Sequence, residues 1–314
     1  MPEGPAREGR LTLVVTALAT VMRAFEDVIC AEIAPMDVDE CGAQHHVQAQ
    51  ALSITQPIGT GTVCTPGETA VFAVVAYATI DELAAAFGLE EAQAAALSRY
   101  ADLMLAWRRG NVTAIRTRGG IVSTLFGDAL ALLDVPQLRE LGCAGWLDLG
   151  AGAGVPGIPL AVALPAVKLT LLDSAAGKCA FLEEAVEAAG LEGRAGVVCA
   201  RSERHAAIGQ PGRDGYRVVL ARAVAPLPVL VELAAPLLAP GGVLLASKTG
   251  RASRDEGPGG KAVAESCGLA AGPVVALPRS PLDDAVCVVY RKVGATPKRL
   301  PRREGRAGKR PLAR

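Results

Sequence analysis

The chain has 314 residues, 51% of them hydrophobic and 20% charged, enough apolar material for about two ordinary domains and far from a disordered composition. Its 32 Lys and Arg balance 32 Asp and Glu, and a net charge of zero argues at first sight against a polyanionic partner. That balance is unevenly spread: residues 291–314 hold ten basic side chains and one acid, Glu304, so a cationic end offsets an acidic start.

Residues 1–78 read as an acidic extension. Its apolar run from Leu11 to Met22 is shorter than the roughly 20 residues that cross a bilayer, and Arg23, Glu26 and Asp27 fit a secretory signal poorly. His45 and His46 with Cys41 and Cys64 match no zinc spacing, so no metal is expected. The extension reads as poorly ordered or as the product of a mis-assigned start codon. The eight cysteines (Cys30, Cys41, Cys64, Cys143, Cys179, Cys199, Cys267 and Cys287) form no CxxC pair. Several fall in apolar strand-like runs, as in Val197-Val198-Cys199, which suits buried thiols in a reducing cytoplasm.

Thr79-Ile80-Asp81-Glu82 has the form of a capping box and opens a short helix that stops at Gly88. A longer helix follows, in which Leu97, Tyr100, Met104 and Trp107 make one apolar stripe. Together these predict a helical cap over 79–143. From 144 the pattern becomes strand–helix alternation through 293. Strands are expected at 145–149, 168–173, 195–200, 216–221, 242–247 and 285–291, with helices at 156–164, 176–190 and 226–238. Such spacing gives βαβ units, hence an α/β doubly wound parallel sheet with helices on both faces. Pro240-Gly241-Gly242 and the closely following last strands fit an antiparallel edge hairpin. The residues from 294 on are expected to be an extended basic tail.

The segment Asp148-Leu149-Gly150-Ala151-Gly152-Ala153-Gly154-Val155-Pro156-Gly157 carries the functional signal. Glycines here let backbone approach a ligand closely as a strand passes into a helix. One frame reads Gly152, Gly154 and Gly157 as a dinucleotide fingerprint with Asp173 as the ribose acid. It places Asp148 inside the sheet, where an unpaired carboxylate is costly. The other frame ends the strand at Asp148, at the carboxyl edge where open α/β sheets bind ligands. A carboxylate there suits the cationic S-adenosylmethionine, with Asp173 accepting from the ribose. The second frame is preferred.

The same segment, continuing through Ile158-Pro159-Leu160, resembles the signature of the bacterial 16S ribosomal RNA guanine-N7 methyltransferases, also called glucose-inhibited division protein B. Leu171-Leu172-Asp173-Ser174, Ala221-Arg222-Ala223-Val224-Ala225-Pro226-Leu227, Asn111-Val112-Thr113-Ala114-Ile115 and the tail from Thr296 to Leu312 are similar to further blocks of that family, in order. The resemblance implies a class I methyltransferase (Rossmann-like) sheet. It also implies transfer of a methyl group from S-adenosylmethionine to N7 of one guanine (guanine 527) in 16S rRNA. Cofactor contacts would fall on Gly150, Val155, Ser202, Glu203 and Arg222, beside Asp148, Gly152, Gly154 and Asp173. RNA contacts are expected from Lys178, Arg201, Lys298, Arg302, Arg303, Lys309 and Arg310. Leu125 stands where the family usually has a histidine, and Gly177-Lys178 replaces a basic pair.

Guanine N7 offers a lone pair and bears no proton, so attack on the sulfonium methyl needs alignment rather than a general base. No catalytic residue is therefore assigned, and His205 reads as an incidental surface residue. The chain is expected to be a cytoplasmic monomer with the small subunit or its 16S rRNA as partner and no membrane association. Other readings are a methyltransferase for another RNA or a small molecule, a nicotinamide-binding oxidoreductase, or an inactive RNA-binding relative.

Overall fold

The computed structural model of the protein describes residues 59–65, 68–140 and 145–313. Leu11 to Met22, His45, His46, Cys30, Cys41 and Cys143 lie outside them. Ahead of the expected start at Thr79, strands Gly59–Thr65 and Glu68–Val74 pair antiparallel. Tyr77 is already part of the core: its ring lies 5.6 Å from that of Phe87, and its hydroxyl donates to the Arg279 carbonyl at 2.9 Å.

The main sheet has seven strands: β1 Trp146–Leu149, β2 Leu169–Asp173, β3 Ala195–Cys199, β4 Tyr216–Arg222, β5 Leu238–Thr249, β6 Leu269–Ala276 and β7 Ala285–Lys292. Their spatial order is β3-β2-β1-β4-β5-β7-β6. The first five are parallel, and β7 runs antiparallel to both its neighbours. The helices are α1 Ile80–Phe87, α2 Glu91–Ala106, a continuous helical segment α3 over 118–134 followed by a short turn of helix Pro136–Glu140, α4 Gly157–Ala163, α5 Ala176–Ala188, α6 Ser202–His205, α7 Leu227–Ala234, α8 Gly250–Ser266 and α9 Arg306–Lys309.

Strand alternation splits the core in two, because successive side chains point to opposite faces. Trp146, Leu171, Val218, Leu220, Leu245 and Val289 pack under α2 to α5. Their neighbours Leu147, Leu172, Val219, Leu244 and Val288 pack on α7 and α8. The apolar stripe of α2 joins the first layer: Tyr100 stacks on Phe126 at 5.2 Å, and Trp107 meets the edge of Phe181 at 5.1 Å. Thr79 caps α1 by accepting from the Glu82 amide at 3.2 Å. Glu82 reaches back one residue further than expected, to the Ala78 amide, and Gly88 ends the helix at φ 63°.

Two of the longer elements beyond residue 144 were not evident from the residue pattern. Helix α8 contains Pro258 and several glycines, a composition that reads as loop. Gly260 is required there because a Cβ would lie 2.4 Å from the Tyr290 hydroxyl. Strand β6 is an edge strand whose register shifts between Ala271 and Val274, which is where Gly272-Pro273 sits, the position a strand proline tolerates. Pro240-Gly241-Gly242 is not a turn before a strand but a bulge inside β5, between its pairings at Leu238 and Val243.

The expected extended tail is folded. Leu300 and Ala307 are buried, α9 forms, and the segment lies against α7. Among the described residues no helix is long and apolar enough to cross a membrane.

Candidate functional site

Strand β1 runs through Leu149, so Asp148 is inside the sheet, flanked by Leu171 and Leu220. This corrects the frame that ended the strand at Asp148. Shared parity with Trp146 turns the carboxylate under α4, where it accepts from the Gly157 amide at 2.8 Å. Burial pushes its pKa up to about 7, with the Gly157 hydrogen bond opposing the rise. The cost of a buried acid is thus reduced by a ready proton, and Asp148 anchors the loop instead of meeting a ligand. Gly157 cannot carry a side chain here, since its Cβ would fall 2.7 Å from Asp148 Oδ2.

The loop above is held from both sides. Gly150 and Ala151 donate to the Leu172 carbonyl at 2.8 and 3.0 Å, and Gly152 donates to Asp173 Oδ2 at 3.0 Å. Tyr100, wholly buried, donates its hydroxyl to the Ala153 carbonyl from below. Gly154 at φ 82° packs so closely that a Cβ would lie 2.5 Å from Ile158 Cδ1. Gly154 and Val155 therefore belong to the packing beneath the loop, and Val155 is buried in the cap-side core.

At the carboxyl ends of β1 to β4 lies a cavity of about 360 Å³, in the size range of small-molecule clefts. Gly150, Asp173, Lys178, Arg201, Ser202 and Glu203 line it. Asp173 is fixed by the Gly152 amide and by the Ala175 amide at 2.9 Å, with Lys178 Nζ at 3.9 Å. A carboxylate has about four acceptor positions, so both oxygens retain capacity for hydroxyl donors. Ser202 donates to Glu203 Oε2 at 3.1 Å, and the Gly305 amide donates to Oε1 at 2.8 Å. Leu149, Leu172 and Val229 give the cavity apolar wall, and Ala223, at φ 55°, turns the chain along its rim.

Arg222 does not line the cavity. It shares the parity of Val218 and Leu220 and points to the cap, where Nε donates to Asp128 Oδ2 at 2.8 Å. Ser280 donates to the other Asp128 oxygen at 2.7 Å. Arg222, expected at the cofactor, makes a bond that joins sheet to cap. His205 is not a surface residue either: Nε2 lies 2.7 Å from the Tyr216 hydroxyl, and burial lowers its pKa. Cys179, Cys267 and Cys287 are buried, but Cys199 is exposed, because β3 is an edge strand.

The basic residues of the tail separate into two groups. Lys298, Arg303, Lys309 and Arg310 are exposed, as are Arg201 and Arg306. Arg302 is spent on a fork to Glu232, with both N–O distances 2.6 Å, and is corrected from an RNA contact to an anchor. Sequence reasoning also missed Gly305, Ala307 and Gly308, which complete the cavity wall. One signal was available: Glu232 is the lone acid in Leu-Pro-Val-Leu-Val-Glu-Leu-Ala, and a buried acid calls for a cation.

A family model described as rRNA small subunit methyltransferase G matches residues 93–278. A protein named Ribosomal RNA small subunit methyltransferase G from Alkaliphilus metalliredigens is 34% identical over 242 residues, covering 72% of this chain and 93% of its own length. The protein of the same name from Deinococcus deserti is 37% identical over 227 residues (69% and 88% coverage). That from Rubrobacter xylanophilus is 38% identical over 229 residues (70% and 84%).

Proposed function

This chain belongs to the rRNA small subunit methyltransferase G family, and from that premise we propose that it transfers a methyl group from S-adenosylmethionine to guanine N7 in 16S rRNA of the small ribosomal subunit. The observation that carries the reading is the carboxyl-edge cavity, in which Gly150, Asp173, Ser202 and Glu203 meet at the ends of successive parallel strands. The donor set fits the cofactor. Gly150, at φ 68°, leaves backbone free of a side chain on the ligand side. Asp173 keeps acceptor capacity for ribose hydroxyls, and Leu149, Leu172 and Val229 suit an adenine ring.

S-adenosylmethionine supplies an electrophilic methyl on a sulfonium. The chain's residues bind and orient around it. Asp148 and Tyr100 hold the glycine loop from beneath, Asp173 ties the loop to β2, and the Arg222–Asp128–Ser280 set fixes the cap over the sheet. No group needs to remove a proton from N7, so positioning and water exclusion supply the rate. Half-buried Lys178 and exposed Arg201, both lining the cavity, are suited to phosphate or to the guanine O6/N7 edge, which arginine reads bidentately. A cytoplasmic location follows from a ribosomal substrate.

The test is to incubate small subunits lacking N7-methylguanine with methyl-labelled S-adenosylmethionine and map the product. Label at one guanine of 16S rRNA is expected. Cofactor binding with no label in rRNA rejects the substrate, and no cofactor binding rejects the reaction class.

A further inference from the structure

We propose that the C-terminal segment 300–310 is part of the cofactor site itself, with Gly305 holding Glu203 and with Ala307 and Gly308 walling the bound S-adenosylmethionine. The inference rests on the methyltransferase reading of the cavity and assigns it residues beyond the glycine loop and strand ends.

Three observations converge. The segment is docked by specific bonds rather than by charge alone: Arg302 forks onto Glu232, Arg213 donates to the Leu300 carbonyl at 2.8 Å, and buried Lys292 donates to Thr296 Oγ1 at 2.5 Å. Having docked, the chain turns at Gly305, where φ is 71°, and that turn aims its amide at Glu203 Oε1. Glu203 is 8% exposed, and among the described residues its Oε2 is met only by Ser202 next door in sequence. Gly305 therefore supplies the one long-range hydrogen bond this carboxylate has among the described residues. Ala307 and Gly308 then enter the wall of the cavity that Gly150 and Asp173 also line. At Gly305 and Gly308 a Cβ would meet nothing within 4 Å, so these positions leave open space beside the cavity that side chains would occupy.

Without the segment the cavity loses a wall and Glu203 loses its orienting donor. The same stretch turns Arg303, Arg306, Lys309 and Arg310 to solvent, so one short piece of chain would serve cofactor on its inner side and RNA phosphates on its outer side.

Hydrogen exchange on the full chain, with and without saturating S-adenosylmethionine, tests this. Slowed exchange is expected both at 150–152 with 202–203 and at 303–310, the latter by about tenfold or more, the effect of one added hydrogen bond of ordinary strength. Protection of the glycine loop with no change at 303–310 overturns the inference while leaving the cofactor reading intact. Protection at neither place overturns the cofactor reading, and this inference with it. Calorimetry of the Gly305→Pro variant, which lacks the amide proton and cannot hold the turn at φ 71°, gives the second measurement: at least about tenfold weaker S-adenosylmethionine binding is expected, and parental affinity refutes the assignment.

Discussion

Asp148→Asn should remove one pH-dependent contribution to stability. The Asp148 carboxyl sits at about 7 in the fold, against an ordinary value of 3.8. The folded chain therefore holds a proton that the unfolded chain releases, and stability falls as pH rises between those values. The favourable contribution is complete below about pH 4, is lost progressively as pH climbs through about 7, and changes little beyond. At 1.36 kcal/mol per unit, the loss between pH 5 and pH 8 is about 2.5 kcal/mol. Asparagine keeps an acceptor for the Gly157 amide and carries no charge. Its amide group adds an offset that is the same at every pH. Urea unfolding, followed by the fluorescence of buried Trp107 and Trp146, would be measured for parent and variant from pH 5 to pH 8. Other carboxylates titrate in both proteins and cancel in the difference. The variant should gain about 2.5 kcal/mol on the parent across that range. Parallel stability curves would show that Asp148 is ionised in the fold and refute the account of how β1 carries an acid.

Other substitutions test the remaining interactions. Arg302→Ala strands a glutamate only 3% exposed, and a loss of about 3–5 kcal/mol in chemical unfolding is expected, whereas Arg302→Leu with Glu232→Leu should recover most of it. Arg222→Ala leaves Asp128 with Ser280 alone and should cost about 3 kcal/mol, with the cap becoming more sensitive to limited proteolysis than the sheet. Gly154→Ala meets both a left-handed backbone and Ile158, so a loss of about 1–3 kcal/mol is expected together with weaker S-adenosylmethionine binding by calorimetry. Replacing exposed Arg303, Lys309 and Arg310 together with alanine should leave cofactor affinity unchanged. The log–log salt dependence of RNA binding should become shallower by about two, at roughly 0.7 for each phosphate no longer neutralised; an unchanged slope would remove these three from the RNA surface.

The parallel core strands were legible because they are short apolar runs spaced by helix-length segments, and the capped start of α1 was legible from Thr79, Glu82 and Gly88. What escaped depends on partners far away in sequence. Helix α8 tolerates its glycines because Gly260 fits against Tyr290. The tail reads as solvated by composition, yet Glu232 and Lys292 fold it. Gly150, Asp173, Ser202 and Glu203, singled out in the sequence, do line the cavity, but Gly154 lies beneath the loop and the directions of Asp148 and Arg222 were not legible. Strand parity decides those directions, and a one-residue error in where β1 ends moves a carboxylate from the sheet edge to its interior.

The Arg222–Asp128–Ser280 set also imposes an order of assembly. Asp128 accepts from residues 94 and 152 positions further along the chain. During synthesis from the N-terminus the cap emerges first, with its central acid unanswered. A nascent chain that has passed β4 supplies one donor. Only after the segment between β6 and β7 has emerged is the second in place. The cap can form its helices early, but its locked seat on the sheet is among the last things the growing chain can complete, and a fragment ending before Ser280 would keep that acid short of a partner.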